Sequence, residues 1–557
     1  MVQKEFEVKV LSSLAKVFPD RIVGRPCRFG DVARGQEVSF QVAFRYFAPR
    51  YRQKYYRIEV KSPLREYITL YRVGNVPSDL SAYPERNDRN YISTHAGLFP
   101  DPLYPMEDDH VCAAMARWRA IWVSVDVSKN IPLGKYPVEI RFYGDDGSIV
   151  ATCVYHIKVH TASLPAPTLL YTQWFHCDCI ADAHGVKIFS EEHWHLIGEY
   201  MQLAAKHGMN MILTPILTPP LDTAIGGERP TVQLVEIEKQ SEHYTFNFSR
   251  LARFVSIAKA CGIENFEISH FFTQWGAAFC PKVVASKNGK QDRIFGWDTA
   301  ADSREYQNFL QQLIPALLQA FSQMGIPKKQ LWFHVSDEPK LEHLPQYRIS
   351  KNILQPLITD CHHIDALSDY DFYRDGLVET PVVATDHIEP YLDAKADGIW
   401  CYYCCSQCVN VANRFFSMPS SRNRIIGVQI YKYGISGFLH WGYNFYYSQY
   451  SLRKLNPYEE TDGGGAFPSG DAFSVYPYRD TVIPSLRQKV FSNALEDIRL
   501  LQLLETKIGK ARVIEEIDAV AGKSITFSQY PTDERFFKKL YQRVFELLEY
   551  EKNFNKE

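Results

Sequence analysis

The first third of the chain alternates apolar and polar residues over short stretches. Residues 38–44, 122–127 and 138–143 place apolar side chains at every second position, the period of a strand with one buried and one solvated face. Turn-forming glycine, proline and aspartate separate these stretches. We therefore predict a β-sandwich domain over residues 1–165.

From residue 169 onward, short apolar runs alternate with segments of helical period. This order predicts parallel strands, and eight runs match the number that a closed (β/α)8 barrel requires. The predicted strands are residues 169–175, 210–214, 265–270, 331–336, 364–368, 382–386, 399–404 and 437–441, and the main helices are residues 191–206, 248–260, 303–324, 347–359, 422–433 and 484–507. The predicted fold class is α/β, with the barrel over residues 166–510 and a C-terminal helical extension, residues 511–557, packed on it.

Composition and charge exclude several classes of partner. The 62 basic residues nearly balance the 64 acidic ones, so we expect no nucleic-acid partner. There is no run of about 18 apolar residues, and the N-terminal residues lack the apolar core of a signal peptide. We therefore expect no membrane partner and a cytoplasmic location. The oligomeric state does not follow from these features.

Nothing in the sequence predicts a cofactor or a metal. Glycine-rich phosphate-binding motifs do not follow any predicted strand, so we expect no nucleotide cofactor. A zinc site is an alternative for Cys401, Cys404, Cys405 and Cys408, but side chains along a strand point to opposite faces and cannot converge on one ion. A metal site formed by His176, Asp178 and His184 is a second alternative. We expect reduced, buried thiols and no metal in either place.

The segment His334-Val335-Ser336-Asp337-Glu338-Pro339 ends the fourth predicted barrel strand. Active sites of parallel barrels lie at the C-terminal ends of the strands, so the adjacent carboxylates Asp337 and Glu338 are the candidate catalytic residues. The alternative is that Ser336 or Asp337 caps a following helix.

Other strand ends also carry polar or aromatic side chains, and this convergence favours an active site over a helix cap. Such residues are typical of a site that binds sugar. We take the side chains at or just after these strand ends, including His334 at the end of the fourth strand, as candidate substrate-binding residues. They are Trp174, His176, Asp178, His270, Gln274, Trp275, His334, Asp369, Asp386, Tyr402, Tyr403, Trp441, Tyr443 and Asn444.

The adjacency of Asp337 and Glu338 favours one mechanism of glycoside cleavage. Side chains of consecutive residues are poorly placed to flank a glycosidic bond from opposite sides, as two-carboxylate mechanisms require. We therefore expect Glu338 to protonate the leaving oxygen, while Asp337 holds a 2-acetamido group of the substrate that attacks the anomeric carbon. One alternative is a retaining glycosidase that uses Glu338 with Asp369 or Asp386. Another is a carbohydrate-binding protein without catalysis.

Several motifs between residues 165 and 508 resemble glycoside hydrolase family 123. They are Trp174-Phe175-His176-Cys177-Asp178, residues 218–223 and 227–231, residues 266–276, Phe295-Gly296-Trp297-Asp298-Thr299, residues 333–339, residues 437–444, and the loop of residues 470–477 that contains Asp471. Through the segment of residues 295–299 and the loop of residues 470–477, the resemblance adds Trp297 and Asp471 to the candidate substrate-binding residues.

The resemblance to this family implies a β-N-acetylgalactosaminidase that acts through an oxazolinium intermediate. It assigns Asp337 to orient the acetamido group and Glu338 to act as general acid and then base. The implied architecture is an N-terminal β-sandwich followed by a (β/α)8 barrel, and the implied substrate is an oligosaccharide or glycoconjugate with a terminal β-linked N-acetylgalactosamine. It implies no cofactor.

Overall fold

The structure is a computed structural model that describes residues 5–47, 53–127 and 130–550. Its N-terminal part consists of strands. They are β1 (Phe6–Ser12), β2 (Lys16–Val17), β3 (Ile22–Val23), β4 (Phe29–Arg34), β5 (Gln36–Tyr46), β6 (Gln53–Lys61), β7 (Ile68–Ser78), β8 (Gly97–Pro105), β9 (His110–Ala114), β10 (Arg119–Val127), β11 (Gly134–Tyr143) and β12 (Ile149–Ser163).

These strands form two five-stranded sheets, in the orders β1-β5-β10-β7-β8 and β4-β12-β11-β6-β9. One hydrophobic cluster joins them: it takes Phe44 and Val123 from the first sheet and Ile58 and Ile140 from the second. The alternating pattern of the sequence therefore corresponds to strands that turn one face toward a shared core.

The remaining strands belong to the C-terminal part. They are β13 (Leu170–Gln173), β14 (Met211–Thr214), β15 (Glu236–Gln240), β16 (His243–Asn247), β17 (Asn265–Ile268), β18 (Val283–Lys287), β19 (Lys290–Phe295), β20 (Leu331–Phe333), β21 (His362–Leu367), β22 (Thr380–Ala384), β23 (Trp400–Tyr402), β24 (Gly437–His440), β25 (Val475–Tyr478) and β26 (Thr481–Pro484).

Eight of these strands form one parallel sheet in the order β13-β24-β23-β22-β21-β20-β17-β14. Asn210 links the two edge strands, because its side-chain oxygen accepts the Tyr171 N–H at 2.8 Å and its own N–H donates to the Tyr171 carbonyl at 3.2 Å. The sheet is therefore a nearly closed barrel, and the predicted eight-stranded parallel barrel is confirmed. Strands β15, β16, β18 and β19 form a separate four-stranded sheet.

The helices are α1 (Cys177–His184), α2 (Glu191–Lys206), α3 (Ser249–Ala260), α4 (Arg304–Gln323), α5 (Leu344–Leu354), α6 (Asp371–Arg374), α7 (Glu389–Asp393), α8 (Ser420–Tyr433), α9 (Leu486–Ile508), α10 (Lys510–Ala521) and α11 (Arg535–Tyr550). The prediction missed α1, which directly follows β13. The C-terminal helix α11 contacts α9 and α10, and also β4 and β12 of the N-terminal part, so it packs on both parts of the chain. None of the described helices is long and apolar enough to cross a membrane.

Two ion pairs join α9 to the N-terminal sheets. Arg487 contacts Asp101 of β8 at 2.9 Å, and both side chains are almost fully buried. Lys489 contacts Glu37 of β5 at 2.8 Å. Because an unpaired buried charge is costly, these pairs fix the position of the N-terminal sheets against the barrel.

Candidate active site

A cavity of about 220 Å³ lies at the C-terminal ends of the barrel strands, the end where active sites of parallel barrels are found. Both candidate catalytic carboxylates line it, and we call them the acid pair. The other candidate residues that line it are Trp174, His176, Gln274, Trp275, Tyr402 and Trp441.

The segment that carries the acid pair leaves the barrel sheet early. Strand β20 ends at Phe333, three residues before the predicted end. The carboxylate of Asp365 on β21 accepts the N–H groups of Val335 and Ser336 at 3.1 and 3.3 Å, and these groups are thus not available to a neighbouring strand. Glu338 has a left-handed backbone with φ of 41°, which breaks the alternation of side chains along a strand. Both acids can therefore face one cavity.

The alternative role as a helix cap does not hold. The next helical turn begins after Lys340, and helix α5 begins after His343. Neither Ser336 nor Asp337 occupies a cap position.

His334 lies below the acid pair, between two carboxylates from neighbouring strands. Its Nε2 is 2.7 Å from Glu267 of β17 and its Nδ1 is 3.2 Å from Asp365, and all three side chains are buried. Burial lowers the pKa of His334, but the hydrogen bonds to Asp365 and Glu267 outweigh this effect and raise the pKa to about 9. The ring is therefore an imidazolium that neutralises part of a buried acidic cluster. It does not line the cavity.

Further hydrogen bonds complete this cluster. Glu267 accepts from the Thr172 hydroxyl and from the Trp174 indole N–H, each at 2.6 Å. Asp365 accepts from the Tyr347 hydroxyl at 2.5 Å. Through Glu267, the cluster also fixes the orientation of Trp174, whose ring lines the cavity.

His270 stacks on His334, with ring centroids 4.2 Å apart. Burial and the positive charge of His334 lower the pKa of His270 well below its usual value, so the ring is neutral. Among the described residues, His270, His334 and Asp365 are the group whose geometry comes nearest to a metal site. Because both nitrogens of His334 already bond carboxylates and its pKa is raised, the ring offers no free lone pair to a metal. These residues do not fit a metal ion.

The acid pair itself has perturbed acidity. Burial and the negative charge of Glu338 raise the pKa of Asp337 well above its usual value. Burial also raises the pKa of Glu338, while a hydrogen bond of 2.5 Å from the Tyr402 hydroxyl opposes this increase. The two carboxyl groups therefore hold a proton at a pH where isolated carboxyl groups are ionised.

Three candidate residues do not line the cavity themselves. Each of them instead supports the position of a residue that does. Asp471 accepts the indole N–H of Trp441 at 2.9 Å. Asp178 pairs with Arg229 at 2.7 Å, and the same guanidinium group is 3.1 Å from Nδ1 of His176. The side chain of Asn444 bonds the backbone N–H and carbonyl of His176.

The structure places five candidate residues away from the cavity. Tyr403 follows Tyr402 and points to the other face of the sheet, where its hydroxyl is 3.4 Å from Asn423 of α8. The Tyr443 hydroxyl donates to the Tyr200 carbonyl of α2. Trp297 lies against Phe279, with ring centroids 6.2 Å apart. The other two are Asp369, whose carbonyl accepts from Tyr391, and Asp386, which accepts from Gln407.

Sequence reasoning missed several residues that line the cavity: Leu221, Asp222, Ala366, Cys404, Cys405, Leu439, Phe445, Gln449, Tyr450 and Phe467. Most of them lie in long loops that have no periodic pattern. Asp222 is a third carboxyl group in the cavity, and its burial raises the pKa to about 6. Asp365 was also missed, although a charged residue inside the apolar run of β21 was a usable signal.

Comparison with known proteins identifies the family of the chain. The model of the glycoside hydrolase 123 catalytic domain matches residues 174–504, which is more than half of the chain and includes the acid pair. The chain belongs to glycoside hydrolase family 123. It is therefore a glycoside hydrolase, and the resemblance noted from the motifs is confirmed.

Among solved structures, this family 123 hydrolase is similar to a family 123 glycoside hydrolase from Clostridium perfringens. The TM-score is 0.75 and the identity is 14%, over 99% of each chain, a likeness that establishes the fold. A putative β-galactosidase from Bacteroides fragilis shares 10% identity over 86% of this chain and 60% of its own, with a TM-score of 0.31, which is too low to carry an argument. No curated protein matches the sequence.

The buried cluster around His334 predicts a large effect of Asp365→Asn on stability. The substitution removes the negative charge that pairs with His334 and weakens the bonds to Val335 and Ser336, so we expect a loss of about 3–5 kcal/mol. Thermal unfolding, followed by circular dichroism, measures the effect. The control is Asp369→Asn two residues beyond β21, where a partly exposed side chain predicts a change within about 0.5 kcal/mol. Equal unfolding temperatures for the two variants would contradict the role of the cluster.

Proposed function

We propose that this family 123 hydrolase removes terminal β-linked N-acetylhexosamine through an oxazolinium intermediate and with retention of configuration. The family resemblance implies that this sugar is N-acetylgalactosamine. The observation that carries the proposal is that two consecutive carboxyl groups, Asp337 and Glu338, line one cavity. From adjacent positions they reach the substrate from one side, so the nucleophile has to come from elsewhere. The acetamido carbonyl of the substrate supplies it.

In the first step, Glu338 gives its proton to the glycosidic oxygen. The acetamido oxygen bonds to the anomeric carbon while the bond to the leaving group breaks. Asp337 accepts the acetamido N–H and stabilises the positive charge of the oxazolinium. In the second step, Glu338 takes a proton from water, which attacks the anomeric carbon and restores the acetamido group.

The electrostatics of the site support these roles. Burial raises the pKa of Glu338, which favours the protonated form that a general acid needs. The developing positive charge on the oxazolinium favours an ionised Asp337, although burial and Glu338 raise its pKa in the free protein. The positive charge of His334 acts in the same direction, since it lowers the pKa of Asp337.

The cavity also supports a sugar ligand. Trp174 and Trp441 provide apolar faces, and hydrogen bonds to Glu267 and Asp471 fix the two rings. His176, Gln274 and Tyr402 add polar groups. We propose that these residues bind the terminal sugar of an oligosaccharide or glycoconjugate. The Clostridium perfringens relative is described in connection with glycolipid glycan hydrolysis.

A second candidate function follows from Asp222. This carboxyl group lines the same cavity from a different loop, so it could act as the nucleophile of an ordinary retaining glycosidase on a sugar without an acetamido group. In the proposed mechanism, Asp222 has no covalent role.

A screen of aryl glycosides tests the proposed function. We expect turnover of the β-N-acetylgalactosaminide and little of the plain β-galactoside or β-glucoside. Because Glu338→Gln cannot transfer the proton and Asp337→Asn cannot stabilise the oxazolinium, each should lower kcat by about 100-fold or more. The matched control is Asp369→Asn, since Asp369 lies outside the cavity and its charge is not among those that act on either acid. Rapid turnover of the plain galactoside, lost in Asp222→Asn, would favour the second candidate.

The hydrogen bond from Tyr402 to Glu338 predicts a shift in the pH profile. The hydroxyl stabilises the ionised carboxylate and so lowers the pKa of Glu338. In Tyr402→Phe this pKa rises, the acid stays protonated to higher pH, and the basic limb of kcat/KM should move upward by about one pH unit.

The neighbouring residue provides the control for this pH profile. Tyr403→Phe removes a hydroxyl that bonds Asn423 outside the cavity, so its basic limb should match that of the wild type. An unchanged limb in Tyr402→Phe, or the same shift in both variants, would contradict the assignment of Glu338 as the acid.

A further inference from the structure

A series of side-chain contacts joins Glu338 to a carboxylate outside the cavity. The Cys404 thiol is 4.0 Å from Oε1 of Glu338 and 3.2 Å from Oε1 of Gln407. Nε2 of Gln407 donates to the Asp386 carboxylate at 2.9 Å. Asp386 lies two residues beyond the end of β22 and does not line the cavity. These contacts therefore connect Glu338 to a charged group that a sugar in the cavity does not touch.

The buried amide of Gln407 has one possible orientation. Its Oε1 accepts the backbone N–H of Cys404 at 2.9 Å, a group that can only donate. On the other side, its Nε2 faces the Asp386 carboxylate, which accepts. Asn413 holds the surrounding loop, because its side chain donates to the carbonyls of Cys404 and Gln407 at 2.8 and 2.7 Å. The carbonyl oxygen of the amide therefore points toward the thiol.

The orientation of Gln407 decides where the thiol proton goes. A thiol has one proton to donate, and the Gln407 oxygen is nearer to Cys404 than the Glu338 oxygen is. When the proton points to Gln407, the thiol donates nothing to Glu338. Among the described side chains, the donor that remains at Glu338 is the Tyr402 hydroxyl.

Charges of both signs face Glu338 from the loops around it. Burial is the largest cause of its raised pKa, and the negative charge of Asp386 raises the pKa further. The hydrogen bond from Tyr402 and the positive charges of Lys340 and His387 act in the opposite direction. Nδ1 of His387 is 2.8 Å from the Asp386 carboxylate. Asp386 is thus the carboxylate on this side that opposes ionisation of Glu338.

Asp386 acts on one member of the acid pair. The charges that act on Asp337 come from Glu338, His334, Asp365 and Asp222, and Asp386 is not among them. A change at Asp386 should therefore alter the proton affinity of Glu338 without a matching change at Asp337.

We propose that Asp386 is a positioning residue that acts through Gln407 and keeps the proton on Glu338 until the substrate has bound. A general acid that protonates a poor leaving group has to retain its proton at the working pH. The role differs from the two that the sequence suggested for Asp386, sugar binding and nucleophilic attack. This inference rests on the proposed function, in which Glu338 is the acid.

The pH dependence of kcat/KM for phenyl N-acetyl-β-galactosaminide, whose leaving group needs a proton, tests the role. Asp386→Asn removes the charge and keeps the size of the side chain, so the pKa of Glu338 falls. We expect the basic limb to move down by about 0.5 pH unit, opposite to the shift in Tyr402→Phe. Asp386→Glu keeps the charge and should keep the limb within about 0.2 pH unit of the wild type.

A second substrate separates proton transfer from folding and binding. The dinitrophenyl glycoside of the same sugar has a leaving group that departs without a proton. Its kcat/KM in Asp386→Asn should stay within about two-fold of the wild type, which also shows that the variant is folded. The matched control is Asp369→Asn, at the end of the neighbouring strand β21, which should leave the basic limb unchanged.

The outcomes distinguish this inference from the proposed function. An unmoved limb in Asp386→Asn, the same shift in Asp386→Glu, or equal losses on both substrates would overturn the role of Asp386. The proposed function would still stand if Glu338→Gln does not cleave the phenyl glycoside. Full activity of Glu338→Gln on that substrate, or a wild type that cleaves neither substrate, would overturn the proposed function and this inference with it.

Discussion

A buried imidazolium between two carboxylates holds the active site of this hydrolase together. His334 bonds Glu267 on one side and Asp365 on the other, and none of the three side chains is exposed to water. Burying the two carboxylates without a cation would cost much free energy, and burying the imidazolium without the carboxylates would also cost much free energy. The residues therefore require one another, and they join three neighbouring barrel strands, β17, β20 and β21.

The position of the acid pair follows from this constraint. Asp365 bonds the backbone of Val335 and Ser336 as well as His334, so β20 cannot continue and the chain turns into the cavity. The turn brings Asp337 and Glu338 to the same side, which a regular strand would prevent. Raised pKa values at both acids are a consequence of this crowding and burial.

The sequence predicted the barrel and the acid pair because both leave local signals. Apolar runs mark the strands, and a charged doublet before a proline marks a strand end. It could not assign Tyr402 and Tyr403 to opposite faces, since this depends on where β23 ends to within one residue. The loops that carry Asp222 and Tyr450 have no periodicity, so their meeting at the cavity depends on contacts between residues far apart in sequence. Asp178 and Asn444 were found as polar residues at strand ends and Asp471 through the family resemblance, but only the structure shows that they support lining residues.

Inhibition by a thiazoline analogue of the oxazolinium tests whether the substrate supplies its own nucleophile. We expect the N-acetylgalactosamine thiazoline to inhibit competitively and to bind more tightly than the product sugar, and we expect Asp337→Asn to lose this tight binding. We also expect that a 2-deoxy-2-fluoro glycoside leaves the protein mass unchanged. Absence of thiazoline inhibition, together with a covalent glycosyl adduct on Asp222 or another carboxylate, would contradict this mechanism.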